Sequence, residues 1–447
     1  MLPVLRKRIK DENERACIIS VRCIKQITAK ENSMKTPNQD VLKMVYGETE
    51  KQQKRYEYLS QKYTETFGSS EMEFFTAPGR TEIIGNHVDH NGGKVLAASI
   101  DMDMIGAACP NDSQIIEIIS EGYAKKIVID LEHLDKIPAG DGTASLVAGM
   151  AKAVREFGYR IGGFWAYVTT GVISSAGVSS SASFEMLFCS MVNFFFNENR
   201  MGPVTYARIG QFAENRYWGK ASGLMDQMAC AVGGTILLDF KDDVTYEKVN
   251  FDFERMGYQL MIVNTGKGHA NLSREYSEVP EEMNRVAAQL GCSRLCETNL
   301  ETLCGQLMRI GGQLANDRAV LRAIHFFEEN ERVADLMHAI DTQDTRRILQ
   351  LITASGDSSW KLLQNCYANS DYREQKVVLA LALTELFLKR IGDGCCRVHG
   401  GGFAGVIMCV LPKQFTEEYI QYISAYVGAD AVYPMRIRQT GAIHLEK

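Results

Sequence analysis

Gly177-Val-Ser-Ser-Ser-Ala-Ser183 lies between a predicted strand, Phe164 to Thr170, and an amphipathic helix that runs on from Phe184. The start of a helix exposes unpaired backbone N–H groups and the positive end of the helix dipole. Small residues let phosphate oxygens approach that backbone, and hydroxyls add donors or hold Mg²⁺. No Gly-Lys-Ser/Thr follows, so this is not a Walker A loop. Alone, the segment reads equally well as a helix cap in a turn of small residues.

Outward from this turn, strands and helices mix without strict alternation, which predicts an α+β fold rather than a doubly wound sheet. Toward the N-terminus, apolar residues recur at helical spacing from Asp40 to Phe67, and Glu73 to Ala77, Val95 to Cys109, Ile115 to Ile119 and Lys126 to Leu131 read as strands. Ala144 to Phe157 reads as a helix, and two or three more helices are expected between Phe184 and Cys230. Gly234 to Phe240 and Tyr258 to Asn264 read as strands. A long helical stretch is expected from Pro280 to Arg390, with breaks at Gly311-Gly312 and Gly356-Asp357. Val398 to Leu411 reads as a turn and strand, Phe415 to Val427 as a helix and Ala431 to Ile437 as a last strand. The expected organisation is an N-terminal extension over 1–39, a first domain over 40–250 and a second over 251–447. Residues 1–33 are mixed in charge and read as a dispensable extension or as translation from a start site placed too early.

The chain has 447 residues, 45% of them hydrophobic and 23% charged, the balance of an ordinary globular protein with a large core. Its net charge of −6, with both signs mixed along the chain, argues against a general nucleic-acid binder. No apolar run approaches the roughly 20 residues that span a bilayer, and the basic start lacks the apolar core of a signal peptide. The twelve cysteines sit mostly in apolar stretches without zinc-site spacing, so reduced thiols and a cytoplasmic location are expected.

Three more segments carry chemistry. Ala77-Pro-Gly-Arg-Thr-Glu-Ile-Ile-Gly-Asn-His-Val-Asp-His-Asn-Gly-Gly93 gathers a cation, imidazoles and carboxylates in a Gly-rich loop, as recognition of a polyhydroxylated ligand requires. Ala213-Glu214 leads through Gly223 to Asp226-Gln227 at a second predicted helix start. His399-Gly-Gly-Gly-Phe-Ala-Gly405 offers glycines that approach a ligand or make a tight turn.

In this order and at these separations, the four segments resemble the galactokinases of the GHMP kinase family. That family carries G-R-x-N-x-I-G-E-H-x-D-Y, then G-L-S-S-S-A-S, then A-E-x…G-I-M-D-Q, then G-G-G-F-G-G. The resemblance runs from about Tyr56 to the C-terminus and marks the chain as a divergent member. It implies two α+β domains with the active site between them, and transfer of a phosphoryl group from MgATP to the anomeric hydroxyl of galactose. It makes Asp226 the base, with Arg80 beside it. Arg80, Asn86, His87, Asp89, Gly223, Asp226 and Tyr276 would contact the sugar. Gly177, Ser179, Ser180, Ser181 and Ala182 would cradle the triphosphate, and Ser181 and Glu214 would hold Mg²⁺. The Gly400–Gly402 turn would close on the site.

Several residues depart from the family pattern. Glu82 replaces an Asn, Asn86 a Glu, His90 a Tyr, Ile173 a Pro, Ser175 a Gly and Ala404 a Gly. Three of these cluster on the sugar side, so related sugars (galacturonate, arabinose, N-acetylgalactosamine) are alternatives to galactose. Asn86 is expected to face the 6-position of the sugar, where a Glu would repel a uronate by roughly 4 kcal/mol at about 4 Å and an effective dielectric near 20. A catalytically silent sugar sensor on the same fold is the rival from another class. The intact serine turn and Asp226 argue against it.

Overall fold

The computed structural model describes residues 35–123, 125–140, 142–173, 177–219, 222–266 and 272–447. The readings of residues 1–33 and of Ser175 lie outside the described residues. The fold is α+β, with one eight-stranded and one four-stranded sheet.

Strands β1 (Glu73–Ile84), β2 (Lys94–Pro110), β3 (Ile115–Ser120), β4 (Ile127–Asp130), β5 (Phe164–Thr170), β6 (Thr235–Asp239) and β7 (Thr245–Val249) belong to the large sheet. Strands β8 (Tyr258–Asn264), β9 (Cys395–Val398), β10 (Val406–Pro412) and β11 (Val432–Met435) make the small one, in the order β11-β8-β10-β9. A twelfth strand, β12 (Ile443–Leu445), returns to the large sheet beside β1. The path of that sheet is β12-β1-β2-β5-β3-β4, with β6 on β2 and β7 on β6. All pairs are antiparallel except β3 with β5. Two apolar clusters each contain residues from both sides of position 250: one joins Val95 to Met283 and Phe326, the other Ile100 to Val333 and Met408. The two lengths of chain therefore share core.

Local chemistry explains several differences from the expected elements. The helical stretch from Asp40 is two helices, Gln39–Tyr46 and Glu50–Phe67, because Gly47 ends the first in a left-handed cap. The helix expected from Pro280 begins earlier, at Ser273, and carries Pro280 inside it. Gly311 and Gly312 lie within the helix Leu307–Leu314, and Gly356 within Thr345–Ser358. The breaks fall instead where Asn316 and Asp344 accept hydrogen bonds from the next helix's first amides. Gly356 packs a helix onto β9, since a Cβ there would stand 3.0 Å from Cβ of Arg397.

The site is positioned by β1 and by the starts of two helices, Ser180–Asn197 and Met225–Val232. β1 shifts register against β2 between Pro78 and Arg80, and again between Glu82 and Ile84. Among the described residues, no helix is long and apolar enough to cross a membrane.

Candidate active site

Gly79 explains how Arg80 is aimed. A Cβ at position 79 would lie 2.7 Å from the Val178 carbonyl oxygen, so only glycine lets β1 run this close to the serine turn. Arg80 N–H then donates to that same carbonyl at 3.2 Å. The buried Arg80 side chain reaches Asp226 through two bonds, Nε to Oδ1 at 2.7 Å and Nη2 to Oδ2 at 2.9 Å, and its Nη1 donates to the Gly177 carbonyl. Burial disfavours the Arg80 charge, but the Asp226 carboxylate outweighs it and the guanidinium pKa rises. Asp226 stands in the first turn of its helix with its side chain 26% exposed, so the carboxylate is anchored yet open.

The serine turn meets this pair. Ser179 caps the helix Ser180–Asn197 in the left-handed region, φ 60°, a conformation uncommon for a residue with a Cβ. Its hydroxyl donates to Asp226, and its oxygen accepts from none of the helix's own amides. Gly177 is also left-handed, Ser180 opens the helix and Ala182 is buried. One turn further, Ser181 Oγ donates to Glu214 Oε1 at 3.0 Å, and Gln227 Nε2 donates to Glu214 Oε2 at 3.1 Å. Glu214 is buried and starts a single π-helical turn, Glu214–Trp218. A hydroxyl and a carboxylate make a hard oxygen donor set, which fits Mg²⁺.

On the other side, the loop after β1 carries His87, Asp89 and His90. His90 Nε2 lies 3.4 Å from Asp89 Oδ1, and the other Asp89 carboxylate oxygen packs against Gly223. His87 Nε2 donates to the Gly401 carbonyl at 2.9 Å. Burial, with His90 beside it, lowers the His87 pKa to about 4, so the ring is neutral. Tyr276 donates its hydroxyl hydrogen to the Gly402 carbonyl at 2.8 Å, and its ring lies over Gly401.

Asn86 is enclosed by protein groups. Its side chain is 0% exposed. Nδ2 donates to the Glu82 carboxylate at 3.1 and 3.3 Å and to the Gly400 carbonyl at 2.7 Å. Oδ1 accepts from Asn365 Nδ2 at 2.7 Å. With both hydrogens and the carbonyl engaged, this amide is not available to the 6-position of a sugar. The expected uronate-permitting contact would require this amide to give up one of these partners.

Four buried residues near the site carried no role in the sequence reading. Arg397 pairs with Glu82 at 2.7 Å, and His399 Nε2 accepts from the Glu82 N–H at 3.2 Å. Asn365 and Glu329 grip the loop after β1, Glu329 Oε1 accepting from Gly85 N–H at 3.0 Å. Glu329 and Arg397 are polar residues on a helix and a strand, while Asn365 and His399 lie just past the ends of such elements, and sequence spacing alone does not connect the four.

Residues 61–110 match the galactokinase galactose-binding signature, and residues 145–234 the GHMP kinases N-terminal domain. The chain is 30% identical to a galactokinase of Lactococcus lactis subsp. lactis over 79% of its own length and 86% of the relative's. It is 30% identical to a galactokinase of Limosilactobacillus fermentum over 84% and 96%. The crystal structure of Lactococcus lactis galactokinase complexed with galactose superposes with a TM-score of 0.75 at 26% identity, covering 86% of this chain and 98% of that one. A mevalonate kinase shares the fold at a TM-score of 0.58 and 15% identity, over 82% of this chain and 99% of that one.

Proposed function

The chain belongs to the galactokinase family, and from that premise we propose that it transfers the γ-phosphoryl group of MgATP to the anomeric hydroxyl of galactose. The products are galactose 1-phosphate and ADP. The observation that carries this reading is the two-bond Arg80–Asp226 pair, held against the serine turn that opens a helix.

In the transfer, the sugar's anomeric oxygen attacks the γ-phosphorus. A new O–P bond forms as the bond to the β,γ-bridging oxygen breaks, and ADP leaves. Asp226 accepts the anomeric proton as this happens. Arg80 keeps that carboxylate ionised and counters charge on the transferring group. Gly177 and the Ser179–Ala182 turn offer backbone N–H groups and hydroxyls to the triphosphate. Ser181 and Glu214 would hold Mg²⁺, which neutralises phosphate charge when bound. Asp89, Gly223 and the imidazoles of His87 and His90 orient the sugar hydroxyls. The serine turn and the sugar loop belong to residues 40–250 and the Gly400–Gly402 turn to residues 251–447, and the site lies where the two meet. We take the site of action as the cytoplasm, since the ten described cysteines are all free thiols.

An ADP-release assay over a panel of aldoses tests the reading. Galactose with MgATP should give turnover and galactose 1-phosphate. Binding of galactose by calorimetry without any ADP release would instead make the chain a sensor.

A further inference from the structure

Position 86 carries a role that the transfer above does not use. Asn86 lies between two acceptors, the Glu82 carboxylate and the Gly400 carbonyl, and supplies one N–H to each. Glu82 is fixed in turn. Arg397 Nη2 donates to it at 2.7 Å, while Arg397 Nη1 holds the Ile83 carbonyl at 3.0 Å. Burial raises the Glu82 pKa against the pull of Arg397. An ionised carboxylate only accepts hydrogen bonds. At position 86 it would satisfy neither neighbour and would face Glu82 as a second negative charge. The carboxylate therefore belongs at 82, against Arg397, and the amide at 86.

The far end of this chain of contacts touches the chemistry. A Cβ at Gly400 would lie 3.4 Å from the Gly177 oxygen and 3.9 Å from Arg80 Nη2, so the glycine turn is seated on the serine turn and the base's arginine. All three carbonyls of the turn are held by side chains: Gly400 by Asn86, Gly401 by His87 and Asn365, Gly402 by Tyr276. We propose that Asn86 is a positioning residue whose amide, oriented by the Glu82–Arg397 ion pair, fixes the Gly400 carbonyl and so sets the glycine turn against Gly177 and Arg80. Only the turnover arm of the test rests on the kinase reading.

Asn86→Asp changes one amide to a carboxylate with little change in volume. The groups facing it are Glu82 and Arg397, then His325, which donates to the Asn86 carbonyl, Glu329, which accepts its N–H, and His399 beside Glu82. With MgATP and galactose, N86D should lose kcat about tenfold or more at pH 8, with galactose KM within about threefold of wild type. Its ligand-free melting midpoint, relative to wild type, should recover as pH falls and the paired carboxylates take up a proton. Glu82→Gln added to N86D removes the second charge and should restore the midpoint and abolish its pH dependence. It leaves the Gly400 carbonyl without a donor, so kcat should stay low. Asn86→Ala, which brings no charge, carries the same kcat readout if N86D does not fold. A raised galactose KM with unchanged kcat would mean that position 86 reads the sugar. Full recovery of kcat in the double variant, or a wild-type pH response of N86D stability, would equally overturn the proposal. If wild type fails to phosphorylate galactose, the kinase reading falls while the melting arm still decides the pairing of 82 with 86.

Discussion

Ser179 donates its hydroxyl hydrogen to Oδ2 of Asp226, the same oxygen that Arg80 Nη2 holds at 2.9 Å. A carboxylate gripped from two sides by donors is stabilised in its ionised form, which is the form a base needs. Its partners also fix where it points.

Asp226→Asn keeps the shape and removes the base. Turnover should fall by at least about a hundredfold while calorimetry finds galactose still bound. Turnover within a few-fold of wild type would remove Asp226 from that role.

Ser181 and Glu214 meet at 3.0 Å away from the sugar loop. Ser181→Ala and Glu214→Gln should each raise the MgATP KM and shift the Mg²⁺ requirement upward, with galactose binding little changed. A magnesium titration of both variants checks this, and unchanged curves in both would sink the assignment.

A chain beginning at Met34 should keep full activity and nearly the same melting temperature, because residues 1–33 are mixed in charge and precede the residues, 61–110, that match the galactokinase signature. Lys35 pairs with Glu71, Thr36 accepts from Gln53, and Asn38 N–H bonds the Glu446 carbonyl. The helix Gln39–Tyr46 then ends in a buried network. Tyr46 donates to Asp103 at 2.6 Å, and Arg55, Thr76 and Arg438 hold the same carboxylate. Tyr46→Phe should therefore cost about 1–3 kcal/mol in urea unfolding, since a buried acceptor loses a donor.

What the sequence made legible was whatever is local. Phe164–Thr170 and Tyr258–Asn264 fall on the strands read from their apolar runs, and the serine turn sits at a helix start as its small residues imply. The short strands Thr245–Val249 and Ile443–Leu445 were not read: one is largely exposed and the other has three residues, so neither shows a period. Gly311 and Gly356 read as breaks because a helical glycine costs about 1 kcal/mol, a cost that surrounding structure absorbs. The surroundings of Asn86 were illegible for a different reason. Its partners Asn365 and Gly400 are 279 and 314 residues away, and nothing in the local motif says that they take up the amide.

Three histidines, His325 and His399 buried and His87 part-buried, set the acid side of stability. Burial lowers the pKa of His87 to about 4, and burial likewise lowers those of His325 and His399. In the unfolded chain each returns to about 6.5. Below that pH the unfolded state takes up protons that the fold refuses, so stability is full above about pH 6.5 and falls as pH drops toward 4. At about 1.4 kcal/mol per unit, His87 alone accounts for a loss of about 3 kcal/mol across its window. Glu82, Asp252 and Glu385, all raised by burial, pull the other way, as does His133, raised by its hydrogen bond to Asp130. Carboxylates held low, Glu329 at about 2 among them, add their losses only below about pH 4.5. Urea unfolding at half-unit steps from pH 7.5 to 5 should thus show a slope worth more than one proton between pH 6 and 5. His87→Asn should reduce that slope. A flat curve, or an unchanged slope in the variant, would show that these rings accept protons in the folded chain.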